Sequence, residues 1–204
     1  AASAPRDGKI KLHGPEGFAG MRKAGRLAAE ILDMLTAEVA PGVTTEHLDK
    51  LAREYAFDHG SMPATLFYRG YRHSLCTSLN HVVCHGIPGP KPLRNGDILN
   101  IDVTVIVDGW HGDTSRMYVA GEPKRKAEIL IDTTYEVMMA GIEAIKPGVG
   151  TVHATGKVAG LATSGQGVAA GLRTSTQRAT GMFGGAIPHD QNQDGTGQWE
   201  CHRC

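Results

Sequence analysis

The sequence has no excess of charge of either sign and no long apolar run. Its 204 residues include 21 Lys and Arg and 21 Asp and Glu, which gives a formal net charge of zero. This balance gives no support to nucleic-acid binding or to docking on anionic membranes. No apolar stretch approaches the roughly 20 residues that a membrane-spanning helix needs. The sequence therefore predicts no nucleic-acid partner and no membrane partner.

Cysteine is also scarce, with four residues, and the N-terminal residues lack the apolar segment of a signal peptide. Without an export signal, the thiols are expected to be reduced, as they are in the cytoplasm. The chain is long enough to bury a sizeable core in one domain. We therefore expect a cytoplasmic, monomeric, globular protein.

Three segments have the apolar spacing of amphipathic helices. The first runs from Pro15 to about Val39. The second begins at a cap formed by Thr44 or Thr45 and ends at Gly60. The third runs from Pro123, which suits a first helical turn, to Ile145. The predicted inner stripe of the first helix comprises Phe18, Met21, Ala24, Leu27, Ala28, Ile31, Leu32 and Leu35.

The chain between the second and third helices favours strands joined by loops. Extended segments are predicted at 64–68, 74–79 and 81–85, where β-branched, aromatic and other apolar residues cluster. Asn95-Gly96 is typical of a turn and precedes a longer extended stretch.

That stretch, residues 97–117, has the pattern of a β-hairpin. Asp108-Gly109 is a strong two-residue turn signal, because a type I′ turn needs positive φ at both central positions. Closing this turn puts Val107 opposite Trp110. One strand face is apolar at every second position, and we expect it to pack on a core. The residues of that face are Ile101, Val103, Val105 and Val107.

The same register brings two carboxylates together on the other face. Asp113 lies opposite Thr104, and Asp102 lies opposite Ser115. Asp102 and Asp113 are then diagonal neighbours, with Cα atoms roughly 7–8 Å apart. A metal ion bound by both carboxylates fits this geometry, and so does a shared proton. A pair of solvated strand aspartates is the third interpretation.

A short pattern occurs twice in the chain. Ala-Pro-Gly-Val-Thr-Thr-Glu-His at 40–47 follows the first predicted helix, and Lys-Pro-Gly-Val-Gly-Thr-Val-His at 146–153 follows the third. The match includes Val, Thr and His besides the helix-ending Pro-Gly. A duplicated architecture is one explanation, and chance recurrence of Pro-Gly after helices is the other.

Several motifs together resemble the type I methionine aminopeptidases of bacteria. The resemblance covers about residues 9–150. The matching segments are Gly20–Ala29, Tyr68–Tyr71, Asn80–Pro88, Asn95–Thr104 and His111–Ser115.

The resemblance implies an α/β (α+β) architecture with the pita-bread fold, in which two pseudo-symmetric halves surround an antiparallel sheet. It also implies two divalent metal ions of the cobalt, manganese, iron or zinc type. Asp102 would chelate one ion and Asp113 would bridge both. The activity implied is removal of the initiator methionine from nascent polypeptides, at the ribosome.

The resemblance further implies a substrate site. His85, in the Cys-His-Gly-Ile-Pro motif, would bind substrate and assist proton transfer. Tyr68, Tyr71 and Cys76 would line the pocket for the methionine side chain. From the residues alone, Tyr68 and Tyr71 are equally consistent with packing on a sheet, and Cys76 with packing in a core. For His85, the residues alone favour a turn imidazole that is hydrogen-bonded to backbone.

The sequence departs from the family after residue 150. A His in Gly-His-Gly, a Glu before Pro and a C-terminal bridging Glu are all unrecognisable there. We therefore predict a lead at 1–14, the N-terminal part of the catalytic domain at 15–150, and an atypical Gly-, Thr- and Gln-rich tail at 151–204. The tail is interpreted as disordered, or as a frame-shifted or truncated second half, with impaired activity. Its other metal-binding residue types match no standard zinc spacing: His189, Cys201, His202 and Cys204.

Two alternatives to an aminopeptidase follow. A non-catalytic pita-bread module would bind peptides or proteins through the His85 side of the cleft. A proline-specific peptidase is disfavoured, because no further domain precedes the compact N-terminal start.

Overall fold

The computed structural model describes residues 12–146 of the chain. The predicted tail at 151–204, with His189, Cys201, His202 and Cys204, lies outside the described residues. So do most of the predicted lead and the second copy of the repeated pattern. Among the described residues, no helix combines the length and the apolar character that crossing a membrane requires.

Helix α1 spans Pro15–Leu35 and starts with proline in its first turn, where the missing N–H costs nothing. The predicted apolar stripe is buried from Ala24 to Leu35. Two details were wrong. Phe18 is 58% exposed, and the helix ends four residues before Val39. The helix ends at Leu35 because the Thr36 N–H donates to the Asp33 carbonyl, three residues back, and not to a carbonyl four residues back.

Helix α2 spans Thr45–Asp58, and its N-cap is Thr44, the first of the two predicted candidates. The Thr44 hydroxyl accepts a hydrogen bond from the His47 N–H at 3.1 Å. Leu48, Ala52 and Ala56 form the buried side of the helix. Glycine at position 60 has a φ of +68°, which takes the chain out of the helix as predicted.

Within the described residues, four strands form one antiparallel sheet: β1 Met62–Pro63, β2 Leu75–Leu79, β3 Asp97–Val107 and β4 Trp110–Ala120. Strand β3 is central. It pairs with β4 along its full length on one edge, and with β1 and β2 at successive positions on the other edge. Strands β3 and β4 are the predicted hairpin.

The hairpin register is confirmed. Val107 pairs with Trp110, as Asp108 and Gly109 both have positive φ in the turn. The face at 101, 103, 105 and 107 is buried, as predicted. Helices α1 and α2 pack on that face, and together they form the core. The opposite face of the hairpin therefore carries the polar residues.

Helix α1 crosses β4 at very close range. Gly112 is buried in β4, and a Cβ atom added there would overlap the backbone carbonyl of Ala24. Only glycine allows this approach of helix to strand. The contact fixes how the hairpin lies against α1.

The predicted extended segments at 64–68 and 81–85 were wrong. The first is a turn that leads into a 3₁₀ helix, Tyr68–Gly70, and the second is a turn followed by loop. Left-handed φ values at Phe67, Asn80 and His85 prevent continuous strands there.

The prediction at 74–79 was right within one residue, because β2 begins at Leu75. Helix α3 spans Arg125–Glu143 and ends two residues before the predicted Ile145. The prediction for Pro123 was wrong, because the residue precedes the N-cap, Lys124, rather than lying in the first turn.

Candidate metal and substrate site

The two aspartates lie on the polar face of the hairpin. Asp102 pairs with Ser115, and Asp113 pairs with Thr104. Directly opposed residues of antiparallel strands share a face, so the carboxylates are diagonal neighbours there. The Thr104 hydroxyl donates a hydrogen bond to Asp113 Oδ1 at 3.1 Å. Asp113 is exposed and Asp102 is half-buried, so solvent reaches this face at Asp113.

The carboxylate oxygens of Asp102 and Asp113 are the type of ligand that divalent metal ions take. Carboxylate oxygens are hard ligands that hold such ions and leave positions for water. Within residues 12–146, however, no group of three or more His, Cys, Asp and Glu side chains is placed to hold a metal ion. Asp102 and Asp113 thus form a carboxylate pair, and a complete site needs further donors.

The predicted pocket residue Cys76 is next to this pair. In β2, Cys76 is directly opposite Asp102 of β3, so the thiol and the carboxylate lie on one face of the sheet. The Tyr71 hydroxyl lies 3.7 Å from Cys76 Sγ and donates to the Leu75 carbonyl at 2.9 Å. The structure therefore brings Tyr71, Cys76 and Asp102 together.

The hydroxyl of Tyr71 is kept protonated by its surroundings. Burial raises the pKa of Tyr71 far above the usual value of a phenol, and the neighbouring Cys76 thiol raises it further. A protonated hydroxyl can keep donating to the Leu75 carbonyl at every physiological pH. The hydrogen bond to the Leu75 carbonyl places the Tyr71 hydroxyl beside Cys76.

Tyr68 lies on the loop that leads to Tyr71. Its side chain is 46% exposed, and the Arg69 guanidinium lies 5.6 Å from the centre of its ring. Phe67 and Arg69 both have left-handed φ values, of 65° and 48°. Such values are rare for residues with a Cβ atom and often occur at binding sites. The loop thus leaves the Tyr68 side chain partly exposed, three residues before Tyr71.

His85 is held at the edge of β2. Its φ is 54°, another left-handed value, and its side chain is exposed. The next residue, Gly86, joins the loop to β2, because the Gly86 carbonyl accepts a hydrogen bond from the Thr77 N–H at 2.8 Å. A Cβ atom at Gly86 would overlap the Thr77 carbonyl. The motif around His85 is therefore fitted to the sheet that carries Cys76.

Sequence reasoning missed one charged residue that is linked to this site. Asp49 is only 2% exposed and contacts the chain just before β2. The signal was present in α2, because Thr45, Asp49, Ala52 and Ala56 share the spacing of one helix face. An aspartate on a buried helix face needs a partner, and that requirement marks Asp49 for attention.

Solved structures share this arrangement of sheet and helices, which is the pita-bread fold of an α+β protein. The methionine aminopeptidase of Rickettsia prowazekii superposes with a TM-score of 0.75 and 51% identity, covering 76% of this chain and 63% of that chain. The methionine aminopeptidase of Thermotoga maritima superposes with a TM-score of 0.74 and 30% identity, with the same coverage of both chains. The fold inferred from the resemblance is confirmed.

The family is defined by sequence as well. The chain belongs to metallopeptidase family M24, whose sequence profile matches residues 19–198. The Rickettsia prowazekii methionine aminopeptidase is 56% identical over 139 residues, which are 68% of this chain and 54% of the relative. The resemblance to bacterial methionine aminopeptidases is confirmed. The chain spans about half the length of the curated relatives it matches.

Proline-specific peptidases share the fold more distantly. The prolidase of Pyrococcus furiosus superposes with a TM-score of 0.69 at 17% identity, covering 78% of this chain and 45% of that chain. At this level of identity the likeness shows the fold alone. The family profile extends past residue 150, and the division of the chain at that residue stays a prediction.

Proposed function

We propose that this chain carries the carboxylate side of a two-metal site that removes N-terminal methionine from nascent polypeptides. One observation carries the proposal. The cross-strand pairing of Cys76 with Asp102, together with the Tyr71 hydroxyl 3.7 Å from Cys76 Sγ, puts a sulfur atom and an aromatic residue beside the paired carboxylates. Such a site suits a methionine side chain on one side and its scissile peptide bond on the other.

Asp102 and Asp113 would hold two divalent ions of the cobalt, manganese, iron or zinc type. When bound, such ions lower the pKa of a water molecule and polarise a carbonyl group. The Thr104 hydroxyl orients the Asp113 carboxylate by its hydrogen bond to Oδ1. An oriented carboxylate presents its remaining lone pairs in a fixed direction.

The residues proposed for the substrate pocket have different roles. Tyr71, held by the Leu75 carbonyl, and Cys76 provide polarizable, largely apolar contacts for a methionine side chain. Tyr68 closes the exposed side of the pocket. His85 binds the substrate and gives or takes a proton near the reacting carbonyl, since an imidazole exchanges protons near neutral pH.

Two carboxylates are too few ligands for a tightly bound metal pair. The further donors would come from outside residues 12–146. Impaired activity, action in the cytoplasm as a monomer, and encounter with nascent chains at the ribosome stay predictions.

Peptide hydrolysis tests the proposed reaction. The full 204-residue chain is incubated with Met-Ala-Ser or with an Ala-Pro dipeptide and Co²⁺, Mn²⁺, Fe²⁺ or Zn²⁺ in turn. The proposal predicts release of methionine in the presence of metal, at a low rate, and loss of release in D102N and D113N. The control is D108N, because Asp108 lies in the hairpin turn and pairs with Lys23. Hydrolysis of Ala-Pro alone would contradict the proposal.

A non-catalytic peptide-binding module is the second candidate. It is favoured by the finding that residues 12–146 contain no three-donor metal cluster. This candidate predicts binding of Met-Ala-Ser that survives chelation and the D102N substitution, with no hydrolysis under any metal. Metal-dependent release of methionine would exclude it.

A further inference from the structure

Asp49 is a buried carboxylate that holds the chain on the N-terminal side of β2. Its side chain is almost wholly removed from solvent, with 2% of the residue exposed. Oδ1 accepts hydrogen bonds from the Ser74 N–H at 2.6 Å and from the Leu75 N–H at 3.2 Å. Oδ2 lies 3.3 Å from His73 Nδ1. Both carboxylate oxygens are thus engaged by three consecutive residues.

This arrangement is more specific than the packing of α2 requires. The helix already buries Leu48, Ala52 and Ala56 in the core. An apolar residue at position 49 would extend that face without the cost of desolvating a carboxylate. The carboxylate does something that packing does not, because it fixes the direction of two backbone N–H groups where β2 begins.

The fixed segment carries the pocket. The Leu75 carbonyl accepts from the Tyr71 hydroxyl at 2.9 Å, and Cys76 is the next residue. The rings of Tyr71 and His73 meet edge to face, with centroids 5.5 Å apart. Asp49 therefore reaches Tyr71 by two routes, through the Leu75 backbone and through the His73 ring.

We propose that Asp49 is a positioning residue for the methionine pocket. By holding Ser74 and Leu75 through Oδ1 and His73 through Oδ2, it sets the distance between Tyr71 and Cys76 and so the shape of the pocket. The methionine part of this proposal rests on the proposed function. The positioning of Tyr71 and Cys76 by Asp49 does not.

The first measurement uses no substrate and no metal. The Cys76 thiol is alkylated with iodoacetamide at fixed pH in the full chain, and peptide mass spectrometry compares its rate with that of Cys84. D49A should raise the Cys76 rate relative to Cys84 by about tenfold, equivalent to about 1.4 kcal/mol. D49N should stay within about twofold of wild type, because its amide oxygen still accepts from the Ser74 and Leu75 N–H groups.

The matched control is S61A. Ser61 is buried three residues past the C-terminal end of α2 and donates to the Ala56 carbonyl in the last turn of that helix at 2.9 Å. Its loss removes one buried hydrogen bond of the same helix without touching residues 71–76, so the Cys76 rate should not change. An equal rise in S61A and D49A would mean that Asp49 only stabilises the fold, and would overturn the proposal.

A double-mutant cycle separates positioning from general loosening. If Asp49 acts on Cys76 through Tyr71, D49A should change the Cys76 rate much less in a Y71F background than in wild type. Full additivity of the two substitutions would overturn the proposal. If D49A does not fold by near-UV circular dichroism, H73A replaces it. His73 is partly exposed, and its loss should raise the Cys76 rate by about threefold.

The second measurement adds the substrate. Binding of Met-Ala-Ser and Ala-Ala-Ser is compared by calorimetry. D49A should prefer the methionine peptide less than wild type does, whereas D49N should keep the wild-type preference. An unchanged preference in D49A would overturn the assignment of Asp49 to the methionine pocket. If wild type shows no preference for methionine, the proposed function fails, whereas the alkylation result still decides whether Asp49 positions Cys76.

Discussion

Asp113 and Asp102 share a face but are held differently. Asp113 is exposed at one end of the pair, and the Thr104 hydroxyl donates to its Oδ1. Asp102 lies between Cys76 on one neighbouring strand and Ser115 on the other. An exposed carboxylate gains most from a partner that limits its rotation, because ordering it at the moment of binding costs conformational entropy.

Replacing Thr104 by valine should therefore weaken metal binding. T104V removes the hydroxyl at nearly constant shape, and loss of such an orienting partner typically costs about tenfold in metal affinity. Calorimetric titration with Mn²⁺ measures the change. T114V is the control, because Thr114 lies next to Asp113 in β4 and points to the opposite face. Equal affinities for T104V and wild type would contradict an orienting role for Thr104.

The turn before β3 is braced by Asp97. Asn80 Nδ2 donates to Asp97 Oδ1 at 2.9 Å, and the Arg94 N–H donates to Oδ2 at 2.9 Å. Burial by itself raises the pKa of Asp97, but these hydrogen bonds and the charges of Arg94 and Lys91 outweigh it, and the net pKa lies below 3.8. The ionised form is therefore favoured by the native state.

The lowered pKa of Asp97 makes its contribution to stability depend on pH. A lowered native pKa adds stability above the pKa of the unfolded chain, and that stability is lost as the pH falls through the native value. D97N should thus lower the urea midpoint near pH 7, and its difference from wild type should shrink below about pH 4. E143Q, at the exposed end of α3, is the control. A constant difference between D97N and wild type across this range would contradict the assignment.

The contact between α1 and β4 allows a sharper test of packing. G112A places a Cβ atom against the Ala24 carbonyl, and backbone cannot move aside as a flexible side chain can. We expect destabilisation by about 3 kcal/mol or more. G25A is the matched control in α1, where an added Cβ meets nothing within 4 Å. It should stabilise the protein by about 0.5–1 kcal/mol. Urea unfolding distinguishes the two, and equal midpoints would refute the close approach.

The elements that were predictable from sequence are those that local rules determine. The hairpin register followed from Asp108-Gly109 and the period of two, because a short turn leaves little freedom in pairing. The same register predicted that Asp102 and Asp113 are diagonal neighbours on one face of the hairpin. The helix stripe and the Thr44 cap were predictable for the same reason.

The misread segments depend on distant partners. Residues 64–68 and 81–85 have apolar strand composition, but left-handed residues such as Phe67 and His85 turn the chain away. The path of the second segment depends on β2, because the backbone of Gly86 lies directly against the backbone of Thr77. Asp49 was missed because its partners lie 24 to 26 residues later in the sequence. The helical spacing of α2 marks Asp49 as buried, but nothing local in the sequence shows which residues are its partners.

In the whole molecule, the described residues place the carboxylate pair and Cys76 on one face of the sheet. Helices α1 and α2 cover the opposite face. The chain spans about half the length of its curated relatives, and two carboxylates do not complete a metal site. We therefore propose for these residues a limited role, in which Asp102 and Asp113 together bind divalent metal.

Calorimetric titration of the full chain with Co²⁺ tests whether these two aspartates are metal ligands. Wild type and D108N should bind Co²⁺ alike, while D102N and D113N should each lose about tenfold or more in affinity. The D102N and D113N substitutions combined should abolish binding. Unchanged affinity in the double variant, or no binding by wild type, would contradict the assignment of these two aspartates as metal ligands.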